Sequence, residues 1–417
     1  MSSPQRRRTL ASSPGLLVPA ATITANVLSY ALVLIAARLL DRAVYGETLA
    51  LLNLVTIATI PAFAIQTVAA RRAATATVGP ALVRVALLVG VAGALVIAAA
   101  SPLAVSFMRL DSYLGVLAAA ASVPSLAVLG LAQGATQGRE KWVQLCLTLL
   151  LMGVGRVGGG IVGLTFFRSS SGALIGTALG LVVAALIAWP MAKRALHETP
   201  YDESQTAGHT LAELAHAAHA HGVFLLLSSL DLLLARNVLS ADDAGLYAAG
   251  NVIFRAALWL PQPVALMLFA ALSDFRGHRR KVREGLVIVG ALAGATILGS
   301  FVFGDLAAAI VGGAKFADLA DEAWIFALAG SSLAVMQFCI FAGLAMLRRR
   351  RLALVWACIV AEIVAAMMLG QGTTPMALIS SVATIVAVAA AAAAVLALRA
   401  NPTEPIQSTG AKITEPL

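Results

Sequence analysis

Apolar segments of similar length recur along all 417 residues of the chain, separated by short clusters of charged residues. Each segment has about 20 residues, the length that a helix needs to cross roughly 30 Å of hydrocarbon. Such segments are helical because a lipid-exposed backbone must satisfy its own hydrogen bonds. The composition agrees: 60% of the residues are hydrophobic and 12% are charged. We therefore predict an all-α polytopic membrane protein, which excludes cytosolic and secreted enzymes.

Twelve membrane spans can be assigned, six before and six after one long polar connection. Their predicted ranges are 15–37, 48–69, 81–105, 113–133, 142–166, 171–192, 222–240, 245–270, 285–311, 323–346, 352–370 and 375–398. Flanking these lobes, the sequence predicts a tail at 1–14, a linker at 193–221 and a disordered tail at 399–417. The linker is expected to be an amphipathic helix on the membrane surface.

Basic residues fall in alternate loops, which gives the predicted orientation. The basic loops contain Arg6 to Arg8, Arg71 and Arg72, Arg139 and Lys141, Lys193 and Arg194, 276–283 and 348–351. Because cytoplasmic loops carry the excess of Lys and Arg, both termini are predicted to be cytoplasmic, in a plasma (inner) membrane. This distribution accounts for the net charge of +9 without a nucleic-acid partner.

The two predicted lobes carry a weak internal repeat. Ala37 and Arg38 match Ala235 and Arg236, and Pro61 falls opposite Pro261. Since each lobe has an even number of spans, the repeats are parallel and related by an axis along the membrane normal. Two pseudo-symmetric six-helix lobes facing a cavity are the architecture that alternating-access transport requires.

Four charges fall near the middle of predicted spans, where each costs about 2.5 to 3.5 kcal/mol on insertion scales. In one interpretation, Arg156 and Arg255 face a central cavity and bind a diphosphate, because a guanidinium matches phosphate oxygens. Asp231 and Glu362 are then candidates for coupling to H+ or Na+. In the other interpretation, the four charges pair with one another and hold helices together.

Further polar residues near or within the spans are secondary candidates. Arg38 and Arg236 lie near the predicted outer ends of spans 1 and 7, as outer-mouth residues or as interfacial anchors. Gln66 and Gln262 could bind sugar hydroxyls in the cavity or join neighbouring helices. The glycines around Arg156 favour either close helix packing or local unwinding.

The sequence indicates no cofactor and no metal site. It contains no Gly-rich phosphate loop ending in Lys-Ser or Lys-Thr, so ATP is not expected as an energy source. His209, His216 and His219 could share one side of a helix, but no cysteine or acidic partner completes a ligand set. No catalytic residue is assigned, and the chain is not expected to be an enzyme.

Two stretches resemble a known family. In 26–72 the features are Ala37-Arg38-Leu39-Leu40, Tyr45-Gly46, Pro61, Gln66 and the pair Arg71-Arg72. In 230–274 they are the membrane aspartate Asp231, Ala244-Gly245-Leu246-Tyr247 and Leu260-Pro261. These stretches resemble the polysaccharide transporters, the O-antigen flippase-like branch of the multidrug/oligosaccharidyl-lipid/polysaccharide (MOP) exporter superfamily.

The resemblance implies two six-helix lobes that move a lipid-linked glycan, typically carried on undecaprenyl diphosphate, from the inner to the outer leaflet. Membrane lipid and the glycosyltransferases or polymerase of the same envelope pathway would be its partners. The chain departs from longer relatives in having twelve predicted spans instead of fourteen and few lysines within them. Flipping of a peptidoglycan precursor is therefore less favoured.

Other functions remain open from the sequence. A multidrug or cation antiporter of the same superfamily would keep the architecture, although a cationic cargo would favour acidic and aromatic residues over membrane arginines. A membrane glycosyltransferase or polymerase would need a catalytic acid in a sizeable outer segment. Asp41 and Glu47 are available, but the predicted outer loops are short. A scaffold without transport activity is the fourth interpretation.

Overall fold

The structure is a computed structural model, which describes residues 14–75, 80–197, 206–261, 278–344 and 352–399. Throughout these ranges the regular elements are helices. They are α1 (Pro14–Leu39), α2 (Arg42–Ile57), α3 (Ile60–Ala74), α4 (Pro80–Ala99), α5 (Ser101–Met108), α6 (Tyr113–Gly138), α7 (Trp142–Phe167), α8 (Ser170–His197), α9 (Ala207–Val238), α10 (Ala241–Trp259), α11 (His278–Val302), α12 (Gly304–Val311), a 3₁₀ helix (Gly313–Leu319), α13 (Ala323–Leu344), α14 (Leu352–Leu369) and α15 (Pro375–Arg399).

Eleven segments of the described residues are long and apolar enough to cross a membrane, which confirms the predicted all-α polytopic class. The remaining predicted span, 245–270, begins within α10, but residues 262–277 lie outside the described residues. The predicted tails, at 1–14 and 399–417, also lie almost wholly outside them. The orientation of the termini remains a prediction.

Several predicted spans are interrupted in the structure. The second is divided into α2 and α3 at Ala58 and Thr59, just before Pro61, whose ring removes a backbone donor. The Thr59 hydroxyl donates to the carbonyl of Thr56 (2.5 Å) at this break. Similar interruptions precede Pro102 and follow Val302.

The later part of the predicted linker, 193–221, is helical in the structure. From Ala207 onward it is helical and continues without a break into the seventh span as α9. The Thr206 side chain caps its start by accepting from the amide of His209 (3.3 Å). Leu214 is buried against Ala69, Ala73 and neighbouring side chains, so this segment packs on α3. Its place at the membrane surface stays a prediction.

Helices α1–α8, called here the N-terminal half, pack largely on one another, as do α9–α15, the C-terminal half. Glycines set the closest approaches within the N-terminal half. A Cβ at Gly159 would lie 2.1 Å from the carbonyl oxygen of Gly176, so α7 and α8 are in backbone contact. Helix α7 stays regular from Trp142 to Phe167, so its glycines serve close packing rather than unwinding.

The two halves contact each other mainly where α2 meets α10 and where α2 and α3 meet α9. The tightest point joins Gly46 to Gly245. A Cβ on Gly46 would lie 2.8 Å from the amide nitrogen of Gly245, and one on Gly245 would lie 2.0 Å from the carbonyl oxygen of Arg42. Because the obstructing atoms are backbone, any larger residue must push the two helices apart.

We therefore expect Gly245→Ala to destabilise the folded protein by about 1 to 3 kcal/mol, the usual cost of overpacking. Thermal unfolding of the detergent-purified protein measures this change. Gly290→Ala on α11 is the matched control, because nothing lies within 4 Å of the added Cβ. Equal melting temperatures for the two variants would contradict the close contact of α2 with α10.

Candidate functional site

A cavity with a volume of about 260 Å³ lies between the two halves. Its walls come from α1, α2, α3, α6 and α7 on one side and from α9 and α10 on the other. Most of the lining is apolar. The polar side chains that line it are Asn26, Ser29, Tyr30, Asn53, Thr56, Thr59, Arg156, Asn251, Arg255 and Trp259.

Arg156 enters the cavity from α7, in the N-terminal half. Its guanidinium donates to the hydroxyl of Thr56 (2.8 Å) and to the carbonyl oxygen of Leu52 (3.2 Å), both on α2. These are neutral partners, and among the described residues Arg156 forms no ion pair. Its positive charge is therefore not cancelled by a neighbouring carboxylate.

Arg255 enters the same cavity from α10, in the C-terminal half. Its Nε donates to Oδ1 of Asn251 (2.9 Å), one helical turn earlier, and its terminal nitrogen donates to Oδ1 of Asn53 on α2. Asn53 in turn donates to the carbonyl oxygen of Ser229 on α9 (2.6 Å). Helix α2 thus contacts the guanidinium groups of both arginines, which repel each other electrostatically.

Asp231 lies behind Arg255 and is almost completely buried. Its Oδ2 accepts from the amide of Asn251 (2.9 Å) and the hydroxyl of Tyr247 (3.2 Å), while its Oδ1 has no hydrogen-bond partner. Asn251 therefore stands between the carboxylate and the cavity arginine. Asp231 is not among the residues that line the cavity.

Glu362 on α14 is also buried, and its carboxylate interacts electrostatically with Asp231. Its Oε2 has no hydrogen-bond partner. The direct pairing of the four mid-membrane charges, one of the two interpretations of the sequence, is not seen within the described ranges. The two arginines face the cavity, and the two acids lie together in the C-terminal half.

Of the two predicted glutamines, the one that the structure describes lies outside this site. Gln66 does not line the cavity; its amide donates to Oε1 of Gln137 on α6 (3.2 Å). The reason is the close packing of α3 on α6, where a Cβ at Gly134 would lie 2.3 Å from the carbonyl oxygen of Gln66. Gln66 is thus an interhelical contact. Gln262 lies outside the described residues.

The two predicted outer-mouth arginines have different environments. Arg236 is 5% exposed and donates to the carbonyl oxygens of Met108 (3.1 Å) and Arg109 (2.9 Å) at the end of α5. Arg38 is exposed. Arg236 therefore joins the C-terminal half to the N-terminal half, whereas Arg38 is exposed, and their roles at the outer mouth stay a prediction.

Further contacts hold the halves together at the same end. Arg42, at the start of α2, forms ion pairs with Asp318 (2.8 Å) and Asp242 (3.4 Å) of the C-terminal half and donates to the carbonyl of Lys315. Lys315 donates to the carbonyl oxygen of Leu40 (2.8 Å). The predicted outer end is therefore tied across the two halves.

The opposite end is joined by one carboxylate. Glu213 on α9 accepts from Arg71 (2.5 Å) and Arg72 (2.7 Å) on α3. Arg72 is 3% exposed and also donates to Thr210 (3.1 Å). The motif Arg71-Arg72 thus ties the α9 extension to the N-terminal half.

Glu322, between the 3₁₀ helix and α13, lies among acidic neighbours at the predicted outer end. Partial burial raises its pKa, and the charges of Asp243, Asp318 and Asp321 raise it further. A raised folded-state pKa means that ionising Glu322 costs more in the folded protein than in the unfolded chain. Its contribution to stability therefore declines as the pH rises from about 4.5 through the raised value.

Glu322→Gln should accordingly gain stability relative to the unchanged protein as the pH rises above about 4.5, and the difference should level off once Glu322 is ionised in the folded state. Melting temperatures measured across this range test the prediction. The exposed Glu140→Gln is the control. A stability difference that is independent of pH would show that Glu322 is not held in this acidic environment.

Several cavity residues were not assigned from the sequence as binding candidates. Asn251 was missed, although Tyr247, Asn251 and Arg255 recur at intervals of four residues and so share one face of α10. Thr56 and Tyr30 gave no signal, because isolated hydroxyl residues are frequent in membrane helices. Their place in the cavity depends on how α1, α2 and α7 meet.

No protein family profile matches the sequence, and no curated protein matches it. Solved structures do match. A multidrug-resistance MATE family transporter of the MOP superfamily in an inward-facing conformation has a TM-score of 0.72 at 11% identity, covering 92% of this chain and 97% of the other. The lipid II flippase MurJ in an inward closed conformation has a TM-score of 0.67 at 11% identity, covering 92% and 87%.

A third structure is a MOP superfamily transporter from Pyrococcus furiosus, whose binding pocket is described as having reverse polarity suggestive of a different function. It has a TM-score of 0.58 at 14% identity and covers 92% of both chains. Similar folds in this superfamily therefore accompany pockets of different polarity. The protein is a multi-pass membrane protein with the fold of these MATE and MurJ transporters.

Proposed function

We propose that the protein is a transporter that flips a polyprenyl-diphosphate-linked oligosaccharide or polysaccharide precursor from the inner to the outer leaflet by alternating access. The observation that carries this proposal is that Arg156 and Arg255, one from each half, line a single cavity. The proposal includes a plasma-membrane location and no catalytic activity. The glycosyltransferases or polymerase that make and use the glycan would be its partners.

The charge of the cavity favours an anionic cargo. Within the described part of the chain, its lining contains two arginines and no Asp, Glu or Lys. Two guanidinium groups in an apolar environment repel each other, and a diphosphate between them would remove this repulsion and accept several charge-assisted hydrogen bonds. Arg156 and Arg255 are thus suited to the diphosphate, as the sequence predicted.

The remaining polar lining suits the first sugar. Amides of Asn26 and Asn53 and the hydroxyls of Tyr30 and Thr56 supply donors and acceptors for sugar hydroxyl groups. Trp259 offers an aromatic face at the same cavity. The polyprenyl tail would stay in the surrounding lipid, since it gains nothing from a cavity with charged walls.

The cavity volume bears on the mechanism. About 260 Å³ is below the roughly 300 to 1,000 Å³ of typical small-molecule pockets. A diphosphate with an attached glycan therefore requires the two halves to separate. Arg42 and Arg236 join the two halves at one end, and Glu213 joins them at the other. These contacts must break and re-form as the halves move.

Asp231 and Glu362 are the proposed sites of coupling to H+ or Na+. Both carboxylates are buried and interact electrostatically, and each keeps one oxygen without a hydrogen-bond partner. A proton or a sodium ion would satisfy these oxygens and offset the repulsion between the two charges. The choice between the two ions is left to the measurements below.

Replacing Arg156 or Arg255 by Ala should reduce flipping by about tenfold or more, as expected for loss of charge-assisted hydrogen bonds to the cargo. Flipping is measured in depleted host cells that express each variant. Lipid-linked glycan is counted in each leaflet with an impermeant glycosidase, on intact spheroplasts and on inverted vesicles. Arg84→Ala, an exposed arginine of α4 outside the cavity, is the control.

Depletion of the protein itself should cause completed glycan to accumulate in the inner leaflet. If both arginine variants flip at the normal rate, the two-arginine site for the diphosphate is wrong. If depletion changes neither the amount nor the sidedness of any lipid-linked glycan, in a host without a duplicate transporter, the flippase proposal is wrong.

Asp231→Asn and Glu362→Gln should make transport by the purified protein in liposomes independent of the Na+ or H+ gradient that drives it. The reason is that each variant removes a charge that the coupling ion would neutralise. Initial rates with and without each gradient measure the effect. Full gradient dependence in both variants would assign ion coupling to other residues.

A multidrug or cation antiporter is the second candidate, and the fold similarity to a MATE multidrug transporter favours it. Tyr30, Phe63 and Trp259 give the cavity some aromatic surface for a cationic drug. Drug efflux that persists in the Arg156 and Arg255 alanine variants, without any glycan phenotype, would support this function instead.

A further inference from the structure

The contacts between Asp231 and Arg255 suggest how the ion site and the cavity could communicate. Asn251, which is 2% exposed, is the only residue among those described that hydrogen-bonds to both. Its Nδ2 donates to the Asp231 carboxylate (2.9 Å), and its Oδ1 accepts from Nε of Arg255 (2.9 Å). All three side chains belong to the C-terminal half, and Arg255 alone reaches across to Asn53.

The orientation of this amide is fixed by charge. An ionised carboxylate only accepts hydrogen bonds and a guanidinium only donates them. If the Asn251 amide were turned over, its oxygen would face the carboxylate and its NH₂ group would face Nε of Arg255, which is unfavourable at both ends. The amide dipole therefore holds the guanidinium in place as long as Asp231 is negatively charged.

Neutralising Asp231 removes one of these constraints. A protonated carboxyl can donate as well as accept, and a bound cation occupies the carboxylate oxygens, so the carboxyl end no longer holds the amide. Arg255 still uses the amide oxygen as its acceptor, but the amide is then anchored at that end alone, so the two side chains can move together while Arg255 keeps its contact with Asn53. Its guanidinium becomes free to turn toward an anion in the cavity.

We propose that Asn251 is a positioning residue that makes the placement of the Arg255 guanidinium in the cavity depend on the charge of Asp231. The charged and titratable groups that face Asp231 are Tyr247 and Arg255 from α10 and Glu362 from α14. Asn251 differs from these groups because it has no charge of its own and acts through its two hydrogen bonds.

A further consequence rests on the proposed function. If a diphosphate binds Arg255, then cation or proton binding at Asp231 and diphosphate binding in the cavity favour each other, and linkage makes the effect equal in both directions. Substrate and coupling ion would then be bound together in one state of the transporter. Direct electrostatic attraction has the same sign, so the test must remove Asn251 while keeping both charges.

The first experiment needs no substrate. The full chain is labelled with ¹⁵N-arginine, purified in detergent, and the Nε–H resonance of Arg255 is assigned by its absence in Arg255→Lys. In the unchanged protein this resonance should shift as the pH or the Na+ concentration changes the charge of Asp231. The shift should disappear in Asp231→Asn and become much smaller in Asn251→Leu, where only direct electrostatics between Asp231 and Arg255 remains.

Control variants separate the alternatives. Glu362→Gln should keep the shift, because the side-chain hydrogen bonds of Asn251 go to Asp231 and Arg255. Asn251→Ser, whose short hydroxyl cannot span the two partners, replaces Asn251→Leu if the latter does not fold. The proposal is overturned if the resonance does not move in the unchanged protein, if the shift keeps its full size without Asn251, or if it depends on Glu362 and not on Asp231.

The second experiment measures binding of geranylgeranyl diphosphate by calorimetry at high and low Na+ and at two pH values. The dissociation constant of the unchanged protein should change by about fivefold or more between conditions, the lower end of typical site coupling. Asn251→Leu should bind with a constant that varies much less. An undiminished dependence in this variant would overturn the linkage and leave only direct electrostatics.

The two failures are distinguishable. If the unchanged protein binds no geranylgeranyl diphosphate under any condition, the diphosphate cargo of the proposed function is wrong. The proposed linkage between ion binding and diphosphate binding is then wrong as well. The arginine resonance still decides whether Asn251 transmits the charge of Asp231. If the diphosphate binds but the resonance is unaffected by Asn251, the positioning role alone fails.

Discussion

The chain of hydrogen bonds from Asp231 through Asn251 and Arg255 to Asn53 is the interaction around which the centre of this protein is organised. A charged side chain at this depth is costly, and the structure meets the cost with neutral amides placed between opposite charges. This arrangement leaves Arg255 partly available to the cavity. A direct ion pair would have satisfied both charges and left Arg156 as the one unpaired cation of the cavity among the described residues.

The same chain crosses between the two halves. Asn53 lies on α2, which carries Leu52 and Thr56 as partners of Arg156 and approaches α10 at the contact of Gly46 with Gly245. Helix α2 therefore holds the arginine of its own half and that of the other half close to each other. Any movement that separates α2 from α10 must also change the distance between the two guanidinium groups, so the cavity charge and the conformation are mechanically connected.

Residues that match in the internal repeat do not all have matching environments in the structure. Arg38 and Arg236 match in sequence, but Arg236 is buried against the end of α5 and Arg38 is exposed. Of the three buried acids among the described residues, Glu47 lies on α2 in the N-terminal half, and Asp231 and Glu362 lie in the C-terminal half. Such asymmetry is expected when the two halves take different tasks. Both contribute a cation to the cavity, and the C-terminal half alone contributes the pair of buried carboxylates.

The sequence alone predicts the membrane spans and the charged residues within them. The length of the apolar segments alone predicts the spans, because backbone hydrogen bonding in lipid leaves no alternative to a helix. The cost of mid-membrane charge also singled out Arg156, Arg255, Asp231 and Glu362, since a charged residue in a span is rare without a reason. These four positions could thus be found without knowing which residues surround them in the folded protein.

Partners could not be found in this way. Gln66 and Asn53 look alike in sequence, yet one bonds Gln137 on α6 and the other lines the cavity and bonds Arg255. The difference comes from the glycine face of α6, which draws α3 close, and from the break at Ala58 and Thr59, which separates the directions of α2 and α3. The sequence by itself determined the helical spans and the charges within them. Only the tertiary structure decided which charges face the cavity and which are joined through Asn251, because these depend on distances between helices that local sequence does not encode.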